Sequence, residues 1–500
     1  MACMACSSDA HDPLALSRTS SATVKCPATP STEKVAPELD IILVTFDEDD
    51  TRNPAKFSHR TKWLITVVAS TFTLLVSAAT TSYNMGFPSM IQDLNCTQLQ
   101  ATLGLTLFGV GFAVVPLVTS SFSEEFGRMP LYIVSVFGFF LTHLLVAIAQ
   151  NIETVIIARA LQGAFGSTGA TLVAGTIADI WDAHERGRPM MFYSLIAFSG
   201  NALGACMSGW IEMNPRLGWR WIAGIPCLIS FLYFIVMCIC LRETRTAVLL
   251  RKIAQAKRKE TGDDRYRAPS ELSKTTLREM IWASCTRPLY LLVTEPIVLS
   301  ASLWIGFAWG VYFCMVETIP VIFQTLHSFN AGQVGTVYLT MIAGPLIGSF
   351  SNVFQERLYR KYQKVRGPEA RLFGACFSGI LFPASMFLFA FTLLPSTMWV
   401  SIFAITIYFW SAFLMYLSLF TYLADCYGIY ASSALAGLSL FRTLLGCVFP
   451  LFVDKMFVAM TYKWANMLFA GVAVLLTPVP FVIFFWGSSL RMRSAFAQSP

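Results

Sequence analysis

"LGLTLFGVGFAVVPLVTSSFSEEFGRMPLYIVSVFGFFLTHLLVAIAQ", residues 103–150, places two long apolar runs around one short charged gap. Leu99–Thr119 and Leu131–Gln150 contain no Asp, Glu, Lys or Arg, whereas residues 123–130, "SEEFGRMP", hold Glu124, Glu125 and Arg128. Each run is close to the roughly 20 residues that an α-helix needs to cross a bilayer. Two such helices joined by so few residues are antiparallel neighbours, and the charged gap is their water-facing turn.

The same alternation fills the chain. Twelve apolar blocks are read at 63–86, 98–120, 130–150, 152–178, 189–211, 219–241, 291–323, 331–352, 372–394, 397–424, 431–454 and 464–487. Residues 242–290 form the one long interruption and divide the blocks into two sets of six. With 55% apolar and only 13% charged residues in 500, the chain is far from a soluble profile, where about a quarter of residues are charged. The reading is an all-α polytopic membrane protein of 12 transmembrane helices in two six-helix lobes, 63–241 and 291–487. A polar tail, 1–62, a basic loop, 242–290, and a short tail, 488–500, complete it.

Charge placement sets the orientation. Residues 242–290 carry twelve Lys/Arg against six acids, and 351–371 carry six against two. With the N-terminus in the cytoplasm, inner segments near the membrane hold 27 Lys/Arg and outer segments four, as the positive-inside rule requires. The net charge of +7 therefore belongs to loops beside a membrane and implies no nucleic-acid partner. Both termini are expected in the cytoplasm, and residues 1–62, polar and without a signal peptide, are expected to be disordered. The sequon Asn95-Cys96-Thr97 then falls outside, in the first loop, as a glycosylation candidate. Cys206, Cys227, Cys314, Cys376 and Cys447 lie inside apolar blocks as small fillers. Cys3 and Cys6 have metal spacing but no second pair, so no metal site is expected.

Charges inside a bilayer are expensive and usually functional. Three lie clearly within blocks: Arg159, Glu317 and Arg442. Arg159, in the fourth block, and Glu317, in the seventh, are expected at similar depth in the outer half, with Arg442 near mid-membrane. Arg159 either takes part in proton movement or clamps two helices, and Glu317 either carries a proton or sits at a wetted rim. Arg442 either braces its lobe or faces an anionic group. Phe108, Phe112, Tyr193, Trp304, Trp309, Tyr312 and Tyr416 are candidate linings of a central cavity for an apolar solute. The spacing Gly163-x-x-Gly166-x-x-Gly169 suits close helix packing, since no Walker lysine or preceding strand makes it a phosphate loop.

Two sets of six helices with a basic central loop resemble the major facilitator superfamily. The turn between helices 2 and 3 is similar to that family's repeated motif through Glu124, Gly127 and Arg128, and helix 4 to another through Arg159, Gln162 and Gly163. The closest likeness is to the twelve-span drug:proton antiporters of fungi. It is carried by "WRWI" (219–222), "LRETR" (241–245), "EPIVL" (295–299), "GPEARL" (367–372), "FRTLLGCVFPLF" (441–452) and "YKWANMLF" (462–469). The helix 5 signature departs from the pattern: "GNALGACMSG" (200–209) keeps Gly200, Gly204 and Gly209 but has Asn201 and Ala205 where prolines are usual. A straighter helix 5 is expected, with the stringency of proton coupling in question.

The resemblance implies a proton-coupling role for Arg159 and a cytoplasmic gate at the opening turn. Glu124 is expected against the N-terminus of helix 11, near Ala431-Ser432-Ser433, and Arg128 against Asp179. It further implies a monomeric secondary transporter of the plasma membrane that exports a small amphiphilic compound in exchange for protons, with no cofactor. A polyamine antiporter is the rival within transport, to be distinguished by several cavity carboxylates. A non-transporting receptor is the rival outside it. With five histidines and no His-x-x-x-His cluster, an intramembrane hydrolase is not expected.

Overall fold

A computed structural model describes residues 41–46, 50, 52–182, 185–214, 216–272, 276–494 and 496–497. The expectations for most of the N-terminal tail, for Cys3 and Cys6, and for the last residues fall outside them. The first lobe contains α1 (His59–Met85), a short α2 (Phe87–Leu94), α3 (Gln98–Phe126), α4 (Arg128–Ala147), α5 (Ile152–Ile180), α6 (Gly187–Glu212) and α7 (Gly218–Cys240). A linker holds α8 (Thr246–Thr261) and α9 (Leu277–Thr294). The second lobe contains α10 (Pro296–His327), α11 (Ala331–Val337), α12 (Thr340–Arg366), α13 (Phe373–Phe391), α14 (Met398–Tyr427), α15 (Ala431–Val448), α16 (Pro450–Leu476) and α17 (Pro478–Met492).

Ten stretches among the described residues are long and apolar enough to cross a membrane. One of them, 331–391, takes in α11, α12 and α13 and so accounts for two spans. α5 falls outside the ten because Gly, Ser, Thr and Arg159 lower its hydropathy; it is buried within its lobe, against α1, α3 and α4. Twelve spans follow, as the apolar blocks imply. Side chains such as Ile239, Phe350 and Val458 stand exposed on helix surfaces, the arrangement lipid rewards and water does not. Trp210, Trp221, Trp399 and Trp464 are exposed at the helix ends opposite the linker, where a bilayer interface collects indoles.

Local signals start and stop these helices. Thr97 and Gln100 form a reciprocal capping box at the start of α3, Asn151 caps α5 through the Thr154 N–H, and Asn330 with Gln333 opens α11. The turn after α3 is made by Gly127 at φ 97°, a conformation that a side chain resists. At the end away from the linker, Asp93 accepts from Trp219 (2.9 Å) and pairs with Arg220, fastening α2 to α7. Those two donors hold the Asp93 carboxyl below the usual carboxylate range.

Three expectations change. The eighth span is two helices, α11 and α12, and α12 continues to Arg366, well past the predicted end at 352. Leu, Arg, Lys and Gln in that extension are good helix formers that need no lipid. Among the described residues of 242–290, two helices form, α8 and α9. The tail also gains structure from Ile42 onward. Strand β1 (Ile42–Leu43) pairs in parallel with β2 (Tyr266–Arg267), and Val44 packs with Leu250, Ile253, Ala254 and Ala268.

The two lobes meet along α6 with α11 and α12, α3 with α15, and α1 with α10. Thr106 of α3 donates to the Cys447 carbonyl of α15 at 3.3 Å.

Candidate functional site

Arg159 is fixed by three helices, α1, α3 and its own α5, and is 2% exposed. Its Nη1 donates to the Ala79 carbonyl of α1 (3.0 Å) and to Gln162 Oε1 one turn along α5 (2.6 Å). The guanidinium lies 4.3 Å from the Tyr83 ring and 4.4 Å from the Phe108 ring, so aromatic faces carry part of the charge. Gly163 is needed because α3 passes so close that a Cβ would strike the Phe108 backbone. Arg159 Nε and Nη2 have no hydrogen-bond partner. A cavity of about 20 Å³ adjoins them, lined in part by Ser82, His143, Gln162 and Trp219. That is room for about one water molecule.

Arg442 lies where the lobes face each other, 4.3 Å from the Trp309 ring and 5.1 Å from Tyr416. Phe198 of α6 crosses from the first lobe to meet Trp309 (5.8 Å), Phe413 (5.4 Å), Tyr312 and Tyr416 (both 6.4 Å). Tyr193, one face of α6 earlier, is within electrostatic reach of Tyr416 and Arg442 and donates to the Ala170 carbonyl. Thus Trp309, Tyr312 and Tyr416 of the predicted lining gather with Phe198 in one aromatic box beside an arginine, with Tyr193 in electrostatic reach of it. Phe108 and Phe112 stack near Arg159 instead. Trp304 is placed elsewhere: it is fully buried in the second lobe, against Gly379 of α13, because α10 presents that turn to its own lobe. Phe198 was missed, since one phenylalanine in an apolar block has no distinguishing signal.

Glu317, 8% exposed, lies within electrostatic reach of Tyr338. Its neighbour Val316 offers its carbonyl to two donors, Asn84 Nδ2 from α1 and the Tyr338 hydroxyl. Asn84 was also missed, although an asparagine in the last turn of an apolar block is itself a signal. Two further buried acids lie at block edges and escaped the reading. Glu295 accepts from Tyr427 (3.0 Å), and Glu369 forms a two-pronged pair with Arg491 at 2.9 and 3.0 Å.

The charged turn of the opening quotation holds its own lobe together. Arg128 Nε donates to Asp179 Oδ2 at 2.5 Å, joining the start of α4 to the end of α5, as expected. Glu243, from the "LRETR" segment, accepts from the Arg128 and Met129 backbone N–H groups at 3.0 and 3.1 Å. Glu124 differs from expectation. Its carboxylate lies 3.9 Å from Arg245, which also reaches Asp179 at 3.6 Å, and the start of α15 has no side-chain cap. The physical reason is that Arg245, a full charge on the same lobe, outcompetes the partial charge of a helix terminus. Glu125 pairs with Arg251 of α8 at 2.6 Å. The second lobe repeats the device, with Arg371 before α13 pairing with Asp425 at the end of α14 at 2.9 Å.

The helix 5 glycines all serve close approach. Gly200 and Gly204 seat the backbone of α1 at Leu74 and Ala78, and Gly209 faces Ala331 and Gly335 of the other lobe. α6 runs unbroken through Asn201 and Ala205. Asn95 is exposed at the end of α2, in the left-handed region at φ 48°.

The Major Facilitator Superfamily profile matches residues 69–450. The chain is 34% identical to "MFS-type efflux pump MFS2" of Trichophyton rubrum, covering 92% of this chain and 78% of that protein. It is 32% identical to "Efflux pump atB" of Aspergillus terreus, covering 92% and 90%, respectively. It is likewise 32% identical to the multidrug transporter mdrA of Aspergillus fumigatus, covering 92% and 76%. Among solved structures, the fold matches a bacterial homolog of the human lysosomal transporter Spinster, in an inward-facing and unoccupied conformation. The TM-score there is 0.61 at 13% identity, covering 89% of this chain and 100% of that one.

Proposed function

This chain belongs to the major facilitator superfamily and is a membrane transporter rather than an enzyme, and we propose that it exports neutral or anionic aromatic amphiphiles in exchange for protons. The observation that carries the cargo class is the box of Phe198, Trp309, Tyr312 and Tyr416 around Arg442 at the lobe boundary. Rings supply apolar contact, and a guanidinium favours a carboxylate or phenolate. A polyamine fits poorly, because Arg442 already covers the ring faces that a cation would use. The relatives named as efflux pumps and a multidrug transporter support export. For coupling we assign Arg159, Glu317 and Arg442, the charges within the spans. The Glu124–Arg128 turn with Asp179 is assigned to the cytoplasmic gate, acting by stiffening its lobe. The protein works as a monomer in the plasma membrane with both termini inside, and Asn95 is open to glycosylation.

The test is transport in reconstituted vesicles with an imposed pH gradient, using neutral, anionic and cationic aromatic probes of similar size. Neutral and anionic probes should be accumulated, and Arg442→Gln should lower anionic transport about tenfold relative to neutral transport, the worth of one charged hydrogen bond. Preference for cations, or indifference to the gradient, would overturn this reading.

A further inference from the structure

Proline has no N–H, so Pro320 deprives the carbonyl four residues earlier in α10, that of Val316, of its helical donor. Inside a bilayer such a carbonyl must find another partner. Two are present. The Tyr338 hydroxyl, from the junction of α11 and α12 in the same lobe, donates to it. Asn84 Nδ2 donates at 2.7 Å from the last turn of α1, in the other lobe. Val316 and Tyr338 are fully buried and Asn84 is 6% exposed. A carbonyl oxygen accepts two hydrogen bonds, so this one is saturated. Asn84 Oδ1 has no partner, so the amide is engaged through its donor alone. Asn84 follows His59 by 25 residues. At 1.5 Å per residue that is about 38 Å from the start of α1, at the outer end.

We propose that Asn84 is a positioning residue for transport, locking the outer ends of the two lobes onto the carbonyl that Pro320 frees and holding the Glu317 turn of α10 in place. The proposal rests on the reading that the lobes rock against each other. The two donors then have different fates. Tyr338 moves with Val316 and keeps the carbonyl satisfied in every state. Asn84 must let go whenever the outer side opens, and its amide then meets water. A neutral amide–carbonyl bond suits that duty. It is weak enough to be broken in each cycle, yet it biases the equilibrium toward outer closure by roughly fivefold.

The experiment measures distances between spin labels at Met213→Cys and Leu339→Cys in the reconstituted chain, with other accessible cysteines replaced. These positions lie just past the end of α6 and at the α11–α12 junction, on opposite lobes at the outer end. Asn84→Leu keeps the shape and removes the donor, and should raise the long-distance, outward-open population about fivefold. Pro320→Ala restores an N–H to the Val316 carbonyl, so in that background Asn84→Leu should add much less. Equal populations in the parent and Asn84→Leu, or shifts that simply add in the double variant, would overturn the lock. A parent fixed at one distance under every pH and cargo condition would overturn rocking as well, which separates the two failures.

Discussion

At the scale of single residues, the carboxylate and the guanidinium proposed for coupling are held in contrasting ways. Arg159 is held by a carbonyl, an amide and two rings, none of which can exchange a proton with it at physiological pH. Its charge is therefore a fixed background, and any proton taken up must reside on another group. Glu317, buried on the opposite lobe within electrostatic reach of Tyr338, is the carboxylate we propose for that purpose. Glu317→Gln keeps the side chain's shape but carries no exchangeable carboxyl proton. It should cut pH-driven accumulation in vesicles at least tenfold while leaving downhill counterflow largely intact. Accumulation equal to the parent's would remove Glu317 from the coupling scheme. That these residues lie buried within the spans was legible from charge in apolar blocks. Their partners were not, because backbone carbonyls and ring faces are contributed by helices distant in sequence.

At the scale of elements, each lobe is fastened at its linker end by charges that join three spans. In the first, Arg128, Asp179 and Glu243 tie α4, α5 and the end of α7; in the second, Arg371 with Asp425 and Glu369 with Arg491 tie α13, α14 and α17. The Glu369–Arg491 pair is the most buried of these, at 4% and 3% side-chain exposure. Arg491→Leu leaves a carboxylate buried without its main partner and should destabilise the protein by about 3–5 kcal/mol. Thermal unfolding in detergent checks this, and Glu369→Gln/Arg491→Leu together should recover much of the loss. An unchanged midpoint for the single variant would show that water reaches Glu369. The motif around Arg128 was legible because its residues are close in sequence. The second-lobe fastening was not, since Glu369 and Arg491 are 122 residues apart and both resemble ordinary loop charges.

At the scale of the whole molecule, the segregation of basic residues predicts orientation. Maleimide labelling of intact cells should modify a cysteine placed at Gln92, in α2, and none placed at Lys257, in α8. Outside labelling at Lys257 would reverse the topology. The same segregation makes α8, α9 and the extension of α12 a basic collar at the linker end, on which the chain from Ile42 to Val44 is docked by β1 and β2.

Span number, the two-lobe division and the membrane class are written in the sequence. Apolar length and charge exclusion are local, additive properties that a bilayer reads directly. The positions of the charged residues within the spans are equally plain. Which of them meet is a tertiary matter: Glu124 turned to Arg245, Trp304 joined a core, and Asn84 found a carbonyl that Pro320 had freed 232 residues away from it. Those outcomes depend on helix rotation and lobe contact, for which a uniformly apolar block carries almost no amphipathic signal. In a lipid-facing helix the hydrophobic pattern that orients a soluble helix is largely erased, and packing decides in its place.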